Sequence, residues 1–183
     1  SLDYFIDTQQ ENGQIMNYHG YTIETGAVLW CVGEYFRYTR DREWIDRVRS
    51  KLLNARDFLI RWRERDGKNG YGMISGKVAD PEDSYHQFML NAYGYLGLSR
   101  LAEVMRALDI PEAGRLQAEA DEWRQAIRRA ALEALAVSPV VPMGDGTWHP
   151  TPPPWVEAPA TRSRYQKRET SSSHGPFTDP DAG

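Results

Sequence analysis

Three carboxylates fall within four residues, Asp80, Glu82 and Asp83, in the run Ala79–His86. Anions crowded this closely repel one another, which pushes a carboxyl group towards the protonated form that can donate a proton at neutral pH. The chemistry this suits is general acid or base work on an uncharged substrate, with Glu82 and Asp83 as the candidate catalytic pair. A structural reading competes. Asp80 before Pro81 fits a helix N-cap followed by proline in the first helical position, and acids in a first turn favour the helix dipole. A helix N-terminus also lowers a carboxylate's pKa, the wrong direction for a general acid. One cap needs only one acid, which leaves Glu82 and Asp83 open to a catalytic role.

Two further clusters carry hydrogen-bonding and aromatic groups. In Asn17–Tyr21, Tyr18 and His19 offer the contacts a hydroxyl-rich ligand needs, or else Tyr18 and Tyr21 pack as a rim and His19 stays in water. Glu24 follows in the first turn of an apolar segment, where an unpaired charge is costly, so it is either paired or used. The run Gly144–Pro150 continues to Trp155 and Glu157. Its Trp148 and Trp155 have flat faces suited to sugar rings, or they anchor an otherwise loose segment. His86 completes the first cluster. The four histidines show neither HxxxH nor HxH spacing, so no metal site is expected. There is no glycine-rich phosphate loop and no nucleophile elbow, so no cofactor is expected.

The elements that would position these groups follow from periodicity. Residues Ile23 to Tyr38 are apolar nearly all round and predict a helix buried on most sides. After Thr39–Asp41 the chain from Arg42 to Glu64 places Trp44, Ile45, Val48, Leu52, Ala55, Leu59 and Trp62 at three- and four-residue steps, the pattern of a half-solvated helix. The order then repeats. Ser84 to Leu108 opens with a long uncharged stretch, and Pro111 to Ala136 is one-sided through Leu116, Ala120, Trp123, Ile127 and Ala134. Leu2–Ile6 read as the tail of a preceding helix. The expected fold class is therefore all-α, with two inner/outer helical hairpins over residues 1–137. Short turns near Arg40 and Asp109 would gather at one end, and the long connections, where binding and catalysis tend to sit, at the other.

Residues 138–183 form a proline- and glycine-rich segment in which long helices and central strands are excluded. The aromatic and apolar residues of Val140–Glu157 predict an ordered loop seeking a surface, because disordered segments are poor in such groups. From Ala158 to Gly183 the composition predicts a loose end.

A net charge of -4 and a pI near 5.6 do not suit a nucleic-acid partner, which requires clustered positive charge. No apolar run is long enough to span a bilayer, so no membrane partner is expected, and the compartment stays open. The single cysteine, Cys31, excludes a disulfide framework and is expected to be a buried structural thiol.

The phrase Thr25–Trp44 (TGAVLWCVGEYFRYTRDREW), the Phe58-Leu59 helix, Tyr71–Ile74, the Asp80–Ser84 acids and Leu101-Ala102 through Ala107–Asp109 together resemble the six-hairpin, or α/α-toroid, glycosidases. Glucoamylases, trehalases and α-L-rhamnosidases share that architecture. The resemblance spans roughly residues 9–155 and rests on helix-pattern phrases. It implies glycoside hydrolysis, with the general acid in an acidic pair shortly before an inner helix, here Glu82-Asp83. Pro81 stands where an aromatic residue often does. It further implies an inverting reaction, in which a second carboxylate about 6.5–9.5 Å away activates water. Tyr18, His19, Glu24, Asp80, His86, Trp148 and Trp155 would line the carbohydrate subsites. Two hairpins are a third of such a ring, so the chain is expected to be a fragment whose base comes from the remainder of a longer chain. The alternatives are a sugar epimerase or polysaccharide lyase on the same toroid, and a non-catalytic helical-repeat binding module.

Overall fold

A computed structural model describes residues 1–18, 20–78 and 85–157. Among these the chain is all-α apart from one two-stranded ribbon. Its elements are α1 (Leu2–Asp7), α2 (Glu24–Thr39), α3 (Arg42–Asp66), α4 (Phe88–Ala107), α5 (Ala113–Ala136), β1 (Val140–Pro142) and β2 (Trp148–Pro150). A short 3-10 turn, Gly67–Asn69, follows α3.

The helices pair as two hairpins. Asp41 starts α3 as its N-cap, accepting the Trp44 amide at 2.9 Å, while the Tyr35 hydroxyl donates to the other carboxylate oxygen at 2.8 Å. One side chain thus fixes the turn to both helices. Each hairpin turn contains a non-glycine residue in the left-handed region, Arg40 and Asp109, both at φ 56°.

α2 and α4 lie side by side and run in the same direction. Their approach is close because glycines face backbone. A Cβ on Gly26 would stand 2.7 Å from the Tyr93 carbonyl oxygen, and one on Gly97 would stand 2.6 Å from that of Gly26. Further along, Arg100 donates to Glu34 and Glu103, and Arg37 reaches both acids, so the seam ends in a four-charge network. α3 and α5 form the second layer. Arg63 joins them, reaching Glu119 and Glu122 at 3.6 and 3.3 Å while its guanidinium lies 5.8 Å over the Trp123 ring.

The buried residues of α3 are Trp44, Ile45, Val48, Leu52, Ala55, Leu59 and Trp62, the set its periodicity predicts. On α5 the buried set is Ala113, Leu116, Ala120, Trp123, Ala126, Ala130 and Ala134, and Ile127 is only half-buried. The small alanines sit on the contact line and the larger isoleucine at its edge. Cys31 is half-buried rather than fully enclosed, and burial together with the nearby Glu34 charge raises its pKa.

α4 begins at Phe88, four residues after the predicted Ser84, with Gln87 in the cap position. The predicted cap, Asp80 with Pro81, lies outside the described residues. Tyr85 and Gln87 instead form antiparallel bridges with Gly76 and Trp155, so long-range backbone pairing takes the place of a first helical turn.

Candidate functional site at the loop end

The long connections interlock at the N-terminal ends of α2 and α4. The Thr22 amide donates to the Lys77 carbonyl at 2.9 Å, and the Lys77 amide returns to the Thr22 hydroxyl at 3.0 Å. The Gly76 amide donates to the Tyr85 carbonyl at 3.1 Å. A strap, residues 151–157, then crosses the start of α4. The Phe88 amide donates to the Pro154 carbonyl at 3.1 Å and the Val156 amide to that of His86 at 3.2 Å. Val156 is buried in a small apolar cluster with Met73 and Ala130. The Trp155 ring stacks on Tyr85 at 4.8 Å between centroids and 15° between planes.

His86 ties the strap to the connection after α3. Its Nδ1 contacts the Glu157 carboxylate, and its amide donates to both Glu157 oxygens at 3.2 Å. On the other side of the ring, Nε2 meets the side-chain amide nitrogen of Asn69. Two backbone bonds set the orientation of that amide: its oxygen accepts from the Tyr71 N–H at 2.8 Å and its nitrogen donates to the Met73 carbonyl at 2.9 Å. Asn69 must therefore donate to Nε2. The remaining ring proton belongs on Nδ1, where it donates to Glu157. Both ring nitrogens are thus engaged, and the side chain is mostly buried.

Of the other predicted site residues, Glu24 is in the first turn of α2 as expected. Its carboxylate accepts from the Asn17 amide at 2.8 Å, the Asn17 side chain at 3.2 Å and the Tyr18 amide at 2.9 Å. It therefore holds the first long connection against its own helix. Tyr18 is exposed, its ring 5.2 Å from Tyr21. Trp155 and His86 come together at the strap. Trp148 stands apart from them on β2, 64% exposed. His19, Asp80, Glu82 and Asp83 lie outside the described residues. The first turn of α4 contains no acid.

Two residues that sequence reasoning did not single out hold this end together. Asn91, fully buried, accepts from the Ile74 amide at 2.9 Å and the Trp123 indole at 3.0 Å, and donates to the carbonyls of Ile74 and Gln87. Asp66 accepts from the Trp62 indole at 2.8 Å, from Ser75 through both amide and hydroxyl, and from Arg65. Burial pushes the Asp66 pKa up, but the donors Arg65, Trp62 and Ser75 outweigh it and the net shift is down. The signal for Asn91 was present as a polar residue inside an uncharged apolar run. Nothing local marked Asp66.

A groove of about 430 Å³ between α3 and α5 is lined by Arg63, Lys68 and Arg129 and by Glu64, Glu119 and Glu122. With equal numbers of opposite charges, it has no net charge to select an ion. Among the described residues no group of three or more His, Cys, Asp or Glu could hold a metal, and no helix is long and apolar enough to cross a membrane. Comparison with protein-family models, with curated proteins and with solved structures finds no match to this chain.

Proposed function

We propose that this chain is part of an α/α toroid that hydrolyses glycosidic bonds, with Glu82 as the proton donor. One observation carries the reading: three long connections bearing Tyr18, Tyr85, His86 and Trp155 interlock at one end of two helical hairpins, the end to which both flanks of the acidic segment belong. The flanks of that segment are held, since Gly76 bridges Tyr85 and Lys77 is clamped to Thr22. Catalytic groups gain most from a rigid frame, because orientation contributes heavily to the rate.

In this mechanism Glu82 gives its proton to the glycosidic oxygen as the bond to the anomeric carbon breaks. Water adds to that carbon and loses a proton to a second carboxylate, about 6.5–9.5 Å from the first in an inverting enzyme. A general acid at neutral pH needs a raised pKa, the direction that neighbouring carboxylates favour. Further hairpins of the ring supply the second carboxylate.

The His86–Glu157 pair favours one other reading, proton transfer of the epimerase or lyase kind with His86 as the base. The Asn69 donor on Nε2 stands against it, because it occupies the lone pair such a base would use. The variants Glu82→Gln and His86→Gln of the full-length protein, assayed on a panel of aryl glycosides, separate the two. Loss of a general acid lowers turnover by about 10²–10⁴-fold. Undiminished hydrolysis by Glu82→Gln would sink the hydrolase assignment, and activity lost only in His86→Gln would favour the proton-transfer reading.

A further inference from the structure

The β1–β2 ribbon has a chemically uniform outward face. In register Val140 pairs with Pro150 and Pro142 with Trp148. Directly opposed residues and residues two apart share a face of a strand pair, so these four side chains lie together. All four are exposed, Trp148 at 64% and Val140 at 55%. None is charged, and no ring contact to Trp148 is found among the described residues.

Several features hold this face rigid. The Met143 amide closes the turn on the Thr147 carbonyl at 3.0 Å. Asp145 at the tip is consumed internally, accepting from the Thr147 amide at 2.9 Å and hydroxyl at 2.6 Å. At the base, the buried Thr151 donates to the Pro139 carbonyl through both amide and hydroxyl. Prolines at 142 and 150 remove two amides that would otherwise invite another strand. The ribbon runs without a break into the strap that carries Trp155 and Glu157.

We infer that this face is a platform for the ring faces of a neutral polysaccharide, placed away from the bond that is cleaved. The inference rests on the hydrolase reading for its substrate class. Size decides between ligands. Two three-residue strands present a face on the order of 100 Å², whereas a stable protein interface buries about 800 Å² per partner. A rigid, uncharged patch with one indole and two prolines matches one or two sugar rings, whose C–H faces stack on flat apolar surfaces without cost to their hydroxyls. It is too small and too flat to hold a protein alone.

Affinity electrophoresis in gels containing soluble starch, xyloglucan, mixed-linkage β-glucan or arabinoxylan tests this. The wild-type chain is expected to be retarded by at least one of them. Trp148→Ala should weaken that retardation at least fivefold, and Trp148→Tyr, which keeps a flat ring, should restore most of it. Trp148 is exposed, so the thermal unfolding midpoint of both variants should match the wild type. Equal retardation of Trp148→Ala, or none of the wild type, overturns the platform. Self-association of the wild type that disappears in Trp148→Ala overturns it in favour of a second copy. Aryl-glycoside hydrolysis by the full-length protein reports on the reading beneath: if it persists while retardation is absent, only the platform fails. If retardation depends on Trp148 while the full-length protein cleaves no glycoside, the hydrolase assignment fails and the platform stands.

Discussion

At the level of single residues, the loop end depends on carboxylates and amides that serve the backbone. Asp66 is the clearest case, because donors from Trp62, Ser75 and Arg65 hold its pKa below the usual carboxylate range. A depressed folded-state pKa means that the unfolded chain takes up its proton first as pH falls. The stabilisation is therefore complete above the ordinary value near 3.8 and is lost as pH drops through the lower folded value. The thermal unfolding midpoint should accordingly hold steady above about pH 5 and decline towards about pH 3. Asp66→Asn should be less stable at neutral pH but lose less on acidification. A residual slope is expected from Asp41, whose pKa is also lowered, by the Trp44 amide and the Tyr35 hydroxyl. An unchanged acid slope in Asp66→Asn, followed by circular dichroism, would contradict this account.

At the level of elements, the helix layers were legible in sequence and the joints between them were not. The apolar steps of α3 and the uncharged stretches of α2 and α4 are local patterns, set by each helix's own burial. The start of α4 is a different kind of fact. Tyr85 and Gln87 spend their backbone on Gly76 and on Trp155, which lies far along the chain, and no local pattern encodes a bridge of that range. The His86–Glu157 pair and the Asn91 hub are non-local in the same way. The acidic candidates Asp80, Glu82 and Asp83 were visible as a composition cluster. Glycine was legible only as a helix breaker, although at Gly97 its role is to admit a neighbour. A Cβ there would meet the Gly26 carbonyl oxygen at 2.6 Å and Leu29 at 3.0 Å. Gly97→Ala should thus destabilise the protein by about 1–3 kcal/mol through overpacking, overriding the gain in helix propensity. Gly114, near the start of α5, meets nothing within 4 Å. Gly114→Ala should stabilise by roughly 0.5 kcal/mol. Urea unfolding of the two variants gives opposite signs if helix contact governs, and the same sign if propensity does.

At the level of the whole molecule, the question is whether two hairpins make two folding units or one. One core cluster runs from Ile6 through α2, α3 and α4 to Trp123 on α5, and Leu29, completely buried, lies under Gly97 at the seam between the hairpins. Polar links repeat the connection in the outer layer, where Arg63 of α3 reaches Glu119 and Glu122 of α5. Neither hairpin can open without exposing the apolar face of the other. The chain should therefore unfold in one transition, with near- and far-ultraviolet circular dichroism superimposing. Leu29→Ala leaves a cavity at the seam and should cost about 3–5 kcal/mol, a large part of the roughly 5–15 kcal/mol that holds a domain together. Because the cavity touches both hairpins, the whole transition should move to lower denaturant together. If the near-ultraviolet signal splits, with a phase that Leu29→Ala leaves in place, the hairpins are independent units and the α2–α4 seam is a docking contact between them rather than a shared core.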